Sequence, residues 1–380
     1  MDLHQFDDIR PYTDEEIAPA MHRIANSPQL EGVLAFLYPG QATGPHRERI
    51  RNFISVKEFQ EGIMLHAVCK FIKDTSSSFT FDGFDSLEKG KGYLLVSNHR
   101  DILLDSALLQ YALLDHHLST SEISFGDNLM SSPFLVDIGK SNKMFKVQRS
   151  ANTREFYHSS LLLSKYIRYA VTERQSILWI AQRNGRTKDG FDTTEQGVLK
   201  MFDMSGNGHF VDDFTALSIV PMSVSYEYEP CDVLKTNELY VSRRQKYVKM
   251  PGEDLNSILT GIMQFKGGIH FVVTPPLTKH QIEEATALCD RNDRYKALAQ
   301  LLDDRIIPNY KLWKTNYMAY DLLHESHTYA GYYSQADLES FISYMNYKLS
   351  SLEGDKKEFE EIFLSIYANS VVNHRRFGTH

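Results

Sequence analysis

LLVSNHRDILLDSALL, Leu94 to Leu109, changes character twice. The apolar run Tyr93–Val96 stops at Ser97, Asn98 and His99. Two carboxylates, Asp101 and Asp105, then sit among Ile102, Leu103, Leu104, Leu108 and Leu109. A short apolar run, a polar turn and a helix-like pattern together read as a buried strand entering a helix. Open α/β sheets hold their ligands in the loops beyond the carboxyl ends of their strands. A histidine there can act as general base, with a carboxylate fixing its tautomer and stabilising the imidazolium. The plainer alternative is that Asn98 and His99 only cap a helix and either Asp is a solvated surface group. A kinase catalytic loop is excluded although His99-Arg100-Asp101 spells its motif. That loop needs Asn five residues after the Asp, where Ser106 stands, and neither a glycine-rich loop nor a DFG accompanies it.

Working outward, strand-like runs recur at 92–98 (GYLLVSN), 176–182 (SILWIAQ), 217–228 (LSIVPMSVSYEY) and 268–277 (GIHFVVTPPL). Helix-like stretches at 103–115 and 153–174 lie between the first two. The alternation predicts an α/β fold, a mostly parallel sheet flanked by helices. Ahead of it, residues 13–36 read as a helix capped by Thr13, and a second helix runs from the late forties to Phe71. DTSSSFTFDG then shifts the composition toward β-formers. The expected organisation is a helical N-terminal segment (1–75), an α/β unit (76–280) and a helical C-terminal segment (281–380). No internal repeat or low-complexity tract appears.

The 380 residues are 42% hydrophobic and 24% charged, ordinary for a globular chain that can bury a sizeable core. A formal net charge of −8 gives no reason to expect general affinity for nucleic acid. Cys69, Cys231 and Cys289 are widely spaced, which argues against a disulfide scaffold or a structural zinc site and suits a reducing compartment. The acidic, polar start is not a secretory signal. No apolar run approaches the roughly 20 residues a membrane span needs. The expected location is therefore cytoplasmic. Any membrane contact is peripheral, with Pro133, Phe134, Leu135 and Val136 as the candidate surface.

Two basic clusters follow the histidine. FKVQRS, Phe145–Ser150, carries Arg149, with Lys140 and Lys143 just before it. WIAQRNGRTKDG, Trp179–Gly190, runs from a strand into Arg183, Asn184, Gly185, Arg186 and Lys188. Forked arginine donors beside a glycine turn suit a phosphate. One such cluster is an ordinary basic surface turn; two downstream of a strand-end histidine point to an anionic substrate. Pro221 interrupts the long run 217–228, which is either a core strand or one wall of a groove for an apolar chain.

In order, these four blocks resemble those of the glycerolipid acyltransferases, the glycerol-3-phosphate and lysophosphatidic acid acyltransferases, over roughly residues 75–280. That family carries N-H-x4-D after a strand, a Phe-and-Arg block, a Gly-Arg block of the E-G-x-R type, and a strand with a Pro. The matching positions are Asn98-His99 with a nearby Asp, Phe145 and Arg149, Gly185-Arg186, and Val220-Pro221. Two positions depart. The family's Asp lies five residues after the His, where this chain has Leu104, and Asp105 comes one later; Asn184 replaces the family's Glu. Either the turn after His99 absorbs one residue, or Asp101 takes the role. Asp105 is favoured because LLDSALL reads as a helix continuing past its aspartate, with Asp101 placed to cap it.

The resemblance implies a fatty acyl transfer from a thioester of CoA or acyl carrier protein, with no other cofactor and no metal. The acceptor would be a hydroxyl of glycerol-3-phosphate or a lysophospholipid, and another lysolipid or amino-lipid alcohol is an open alternative. His99 would be the base and Asp105 its partner. Arg149, Arg186 and Lys188 would hold the acceptor's phosphate, and Asn98, Arg100, Asp101, Phe145, Arg183, Asn184, Gly185 and Pro221 would complete the binding set. The reading from another class is a non-catalytic lipid- or acyl-carrier-binding protein on a degenerate version of the fold.

Overall fold

The computed structural model describes residues 3–130, 132–148, 152–290 and 293–377. Seven strands form one sheet: β1 (Ser78–Asp82), β2 (Tyr93–Ser97), β3 (Glu122–Gly126), β4 (Met144–Val147), β5 (Ile177–Ala181), β6 (Ile219–Tyr226) and β7 (Gly268–Val273). Their order is β1-β7-β6-β2-β5-β3-β4. All neighbouring pairs are parallel except β6 with β7. The four anticipated strands are present. β1, β3 and β4 lie outside them, because runs as short as MFKV and EISFG are no more apolar than many loops.

The central strands are apolar on both sides because both faces are covered. Tyr93 and Leu95 of β2 and Trp179 of β5 point into one core, shared with Ile17, Leu34 and Phe59 of the N-terminal helices and with helix Leu104–Asp115. Leu94, Val96, Leu178 and Ile180 point into the other, beneath helices Thr153–Thr172, Gln196–Asp203 and Asp293–Ile306. Packing thus crosses the expected boundaries at 75 and 280. Helices Lys314–Leu323, Gln335–Leu349 and Lys356–Phe377 gather round Phe363 and Tyr367 in a third cluster.

The N-terminal helices are shorter than expected. Ser27-Pro28 splits the first into Asp14–Asn26 and Gln29–Leu37, because proline has no amide to continue the ladder. The second becomes Thr43–Arg51 and, after a new cap at Ser55, a helical run over 56–75 that includes a π-turn at Gln60–Met64.

Candidate active site

Asn98 sets the geometry. Its side chain behaves as an extra strand residue: Nδ2 donates to the Val224 carbonyl at 2.9 Å and Oδ1 accepts the Val224 amide at 2.8 Å. The β2–β6 ladder is thereby prolonged past Ser97, and His99 leaves the sheet from a fixed point. Behind it the chain turns, and helix Leu104–Asp115 begins only at Leu104. Five residues separate His99 from Asp105, and this turn brings their side chains together.

Asp105 is fully buried. Its Oδ2 lies 2.8 Å from His99 Nδ1 and accepts the amides of Arg100 at 2.6 Å and Asp101 at 3.0 Å. Its Oδ1 accepts Tyr226 Oη at 2.7 Å. An oxygen that accepts two amides is an acceptor toward the ring as well, which puts the imidazole proton on Nδ1 and the lone pair on Nε2. Trp179 braces the ring edge-on at 5.4 Å and is itself tied to Ser97 Oγ at 2.9 Å. Asp101 does the other job: Oδ1 accepts the amides of Leu103 and Leu104 at 2.9 and 2.8 Å, capping the helix. Its Oδ2 is buried with no hydrogen-bond partner. Burial first, and the charge of Asp105 second, push the Asp101 pKa up.

His99 lines a cavity of about 1060 Å³ formed where the carboxyl ends of β2, β3, β4 and β5 meet. Phe125, Leu129, Phe156, Leu163, Met201 and Met204 give it an apolar wall. Arg183, Asn184, Gly185, Arg186 and Lys188 line it from the loop after β5. Gly185 adopts φ +76°, the left-handed conformation that favours glycine. The Thr187 amide donates to the His99 carbonyl at 2.7 Å, so this loop is fastened to the histidine's own backbone.

The loop's cations differ in what they already hold. Lys188 pairs with Glu238, and Arg183 approaches Glu195 at 3.8 Å. Arg186 has no ion pair among the described residues. Its Nη2 donates to Ser257 Oγ at 3.1 Å, while Nη1 is buried without a hydrogen-bond partner. Burial works against its charge, but Cys231 and Asp101 outweigh that and raise its pKa. Arg186 therefore has unspent donor capacity for an anion in the cavity.

Other expected binding residues sit elsewhere. Asn98, Arg100, Asp101, Phe145 and Pro221 do not line the cavity. Arg100 turns beneath the site, with Nη2 2.7 Å from Asp192 and Nη1 3.5 Å from Glu229. Phe145 is fully buried in the second core against Tyr166. Pro221 is an interior residue of β6, register-paired with Val96. Arg149 lies outside the described residues. Phe134 is buried and Leu135 packs on the first core, so the candidate membrane surface at 133–136 is largely turned inward.

Sequence reasoning passed over Tyr226, Glu195, Glu238 and Ser257. Each reaches the site by tertiary packing from a different element, and no local motif marks it. Phe156, Leu163 and Met201 occur at helical spacing, indistinguishable in sequence from core residues. Among the described residues no group of three or more His, Cys, Asp or Glu side chains is placed to hold a metal ion. No helix among them is long and apolar enough to cross a membrane.

No protein-family model matches the chain, and no curated protein matches it. Among solved structures it is similar to the 1-acyl-sn-glycerophosphate (LPA) acyltransferase of Thermotoga maritima, with 12% identity and a TM-score of 0.36, covering 75% of this chain and 91% of that one.

Proposed function

We propose that the chain is an acyltransferase that moves a fatty acyl group from a thioester of CoA or acyl carrier protein to a hydroxyl of glycerol-3-phosphate or a lysophospholipid. The observation that carries this reading is the His99–Asp105 pair on the wall of a large apolar cavity, with the lone pair of Nε2 left for substrate. The acceptor's hydroxyl gives its proton to Nε2 as its oxygen attacks the thioester carbonyl. The tetrahedral intermediate then collapses, the C–S bond breaks, and the departing thiolate takes the proton from the imidazolium. Asp105 keeps the imidazole in the right tautomer and offsets the transient positive charge. The apolar wall suits the acyl chain and Arg186 suits the acceptor's phosphate.

The test is thiol release from an acyl thioester with and without glycerol-3-phosphate or lysophosphatidic acid. Release is expected only with acceptor, and His99→Ala should reduce it by about 10²–10⁴-fold. Activity of the variant within a few-fold of wild type would remove His99 from the chemistry. Thioester binding with no acceptor-dependent release by the wild type would favour the non-catalytic carrier instead.

A further inference from the structure

Helix Glu253–Met263 packs Ile262 on the first core but leaves much of its apolar side in water. Its buried residues are Ser257 and Gly261. Both are small where the helix meets the site: Ser257 holds Arg186, and a Cβ on Gly261 would fall 2.2 Å from Asp101 Oδ2. The opposite face carries Leu255, Leu259 and Met263, one per turn, exposed at 53%, 53% and 61%. Val248 and Met250 before the helix and Phe265 after it are exposed as well. These six are half of the twelve large hydrophobic side chains exposed among the described residues, gathered into residues 248–265. Isolated exposed apolar residues are normal, whereas a contiguous group marks an interaction surface.

We propose that this surface docks the chain on a lipid bilayer. The patch borders the cavity mouth, because Lys249, Glu253, Asp254 and Ser257 of the same segment line the cavity. Phe156 and Tyr157, half exposed, line it from helix Thr153–Thr172. A flat apolar phase lying on the helix would therefore meet the cavity opening. The six side chains include no Trp, Tyr or Arg of the kind that anchors protein partners. Leu255, Leu259 and Phe265 are of the type that interfacial helices bury, and the cations here come from the run before the helix, whose own first turn carries Glu253 and Asp254. The run Arg243–Met250 contains four cations and no acid. Arg243 and Arg244 pair with Glu358, and Lys249 pairs with Asp254. Lys246 has no ion pair among the described residues, so anionic lipid adds a modest attraction to an apolar one. The choice of a bilayer over a protein rests on reading the cavity as a site for an acyl chain.

The test is flotation of the full chain with phosphatidylcholine vesicles, with and without phosphatidylglycerol. Wild type is expected to float with both, roughly five-fold more tightly with the anionic lipid. The variant L255S/L259S/M263S should lose on the order of 100-fold in vesicle affinity while keeping its circular dichroism spectrum. Should the triple variant misfold, L255S and L259S measured singly must each weaken binding. A wild type that never floats, or variants that float as wild type does, would overturn the proposal. So would a wild-type dimer that these substitutions dissociate without any lipid binding, since the face would then meet a second copy. Turnover of a short-chain, water-soluble thioester separates the two claims. Failed docking leaves that turnover intact, whereas a failed acyltransferase reading abolishes it and leaves flotation.

Discussion

His99 owes its position to residues that do not line the cavity. Asn98 locks the strand end and Asp105 fixes the ring, while the hydrogen bonds of Asp101, two residues after His99, go to backbone amides. The two aspartates therefore answer differently to the same substitution. In Asp105→Asn the amide oxygen can still accept the ring and backbone protons, and its NH2 can face Tyr226. The shape survives and the charge does not, so turnover should fall by orders of magnitude with a small change in unfolding midpoint. Asp101→Asn keeps the cap through one oxygen and replaces a buried, partnerless carboxylate oxygen by a neutral group. Its turnover should stay near wild type and its stability should move by about 1 kcal/mol or less. Steady-state rates and urea melts on both variants decide this, and a reversed pattern would make Asp101 the partner. Arg186→Ala should raise KM for a phosphate-bearing acceptor far more than for the thioester, by the roughly 1.5–3 kcal/mol of a charge-assisted contact. An effect confined to the thioester's KM would assign Arg186 to the donor's phosphates.

Among the elements, the loop after β5 carries the cations, and helix Asp293–Ile306 holds its far end. Asp303 of that helix accepts the Thr194 amide at 2.9 Å and the Thr194 hydroxyl at 2.6 Å. Burial pushes the Asp303 pKa up to about 6, against the opposing effect of those hydrogen bonds. Between about pH 4 and 6 the folded chain keeps a proton that the unfolded chain has released. This group's contribution to stability therefore falls as pH rises through that window and is level above it. Asp303→Asn should flatten the change by about 3 kcal/mol. Urea midpoints at pH 4 and pH 7 would show it, and parallel shifts in both proteins would refute it. The elements themselves were largely legible in sequence. Apolar runs announced β2, β5, β6 and β7, and capping chemistry placed a helix start at Thr13. Pro28 broke a helix that periodicity alone carried through. The His99–Asp105 pair could be read because both members lie within seven residues. The burial of Phe145 and Arg100, and the Lys188–Glu238 pair, depend on contacts from distant elements that no local pattern encodes.

Across the molecule, the C-terminal helices are wired into the underside of the site. Arg100 Nη2 donates to Ser370 Oγ at 3.2 Å and Asn373 Nδ2 to the Asp192 carbonyl at 2.8 Å. Tyr367 Oη donates to Asp232 at 2.9 Å and accepts the Glu229 amide at 3.1 Å. Tyr367→Phe leaves that amide buried and unpaired, and should cost about 1–3 kcal/mol. Tryptophan fluorescence and far-ultraviolet circular dichroism should still report one shared transition. Two separated transitions would mean that helices 314–377 unfold on their own. The bond from the Thr187 amide to the His99 carbonyl has a last consequence. With His99 and the arginine loop on adjacent, laddered strands and stitched together beyond them, the imidazole and the Arg186 guanidinium travel as one body. On the proposed reading such an arrangement would act as a ruler, sorting acceptors by how many bonds separate their hydroxyl from their phosphate before any contact with the carbon skeleton is made.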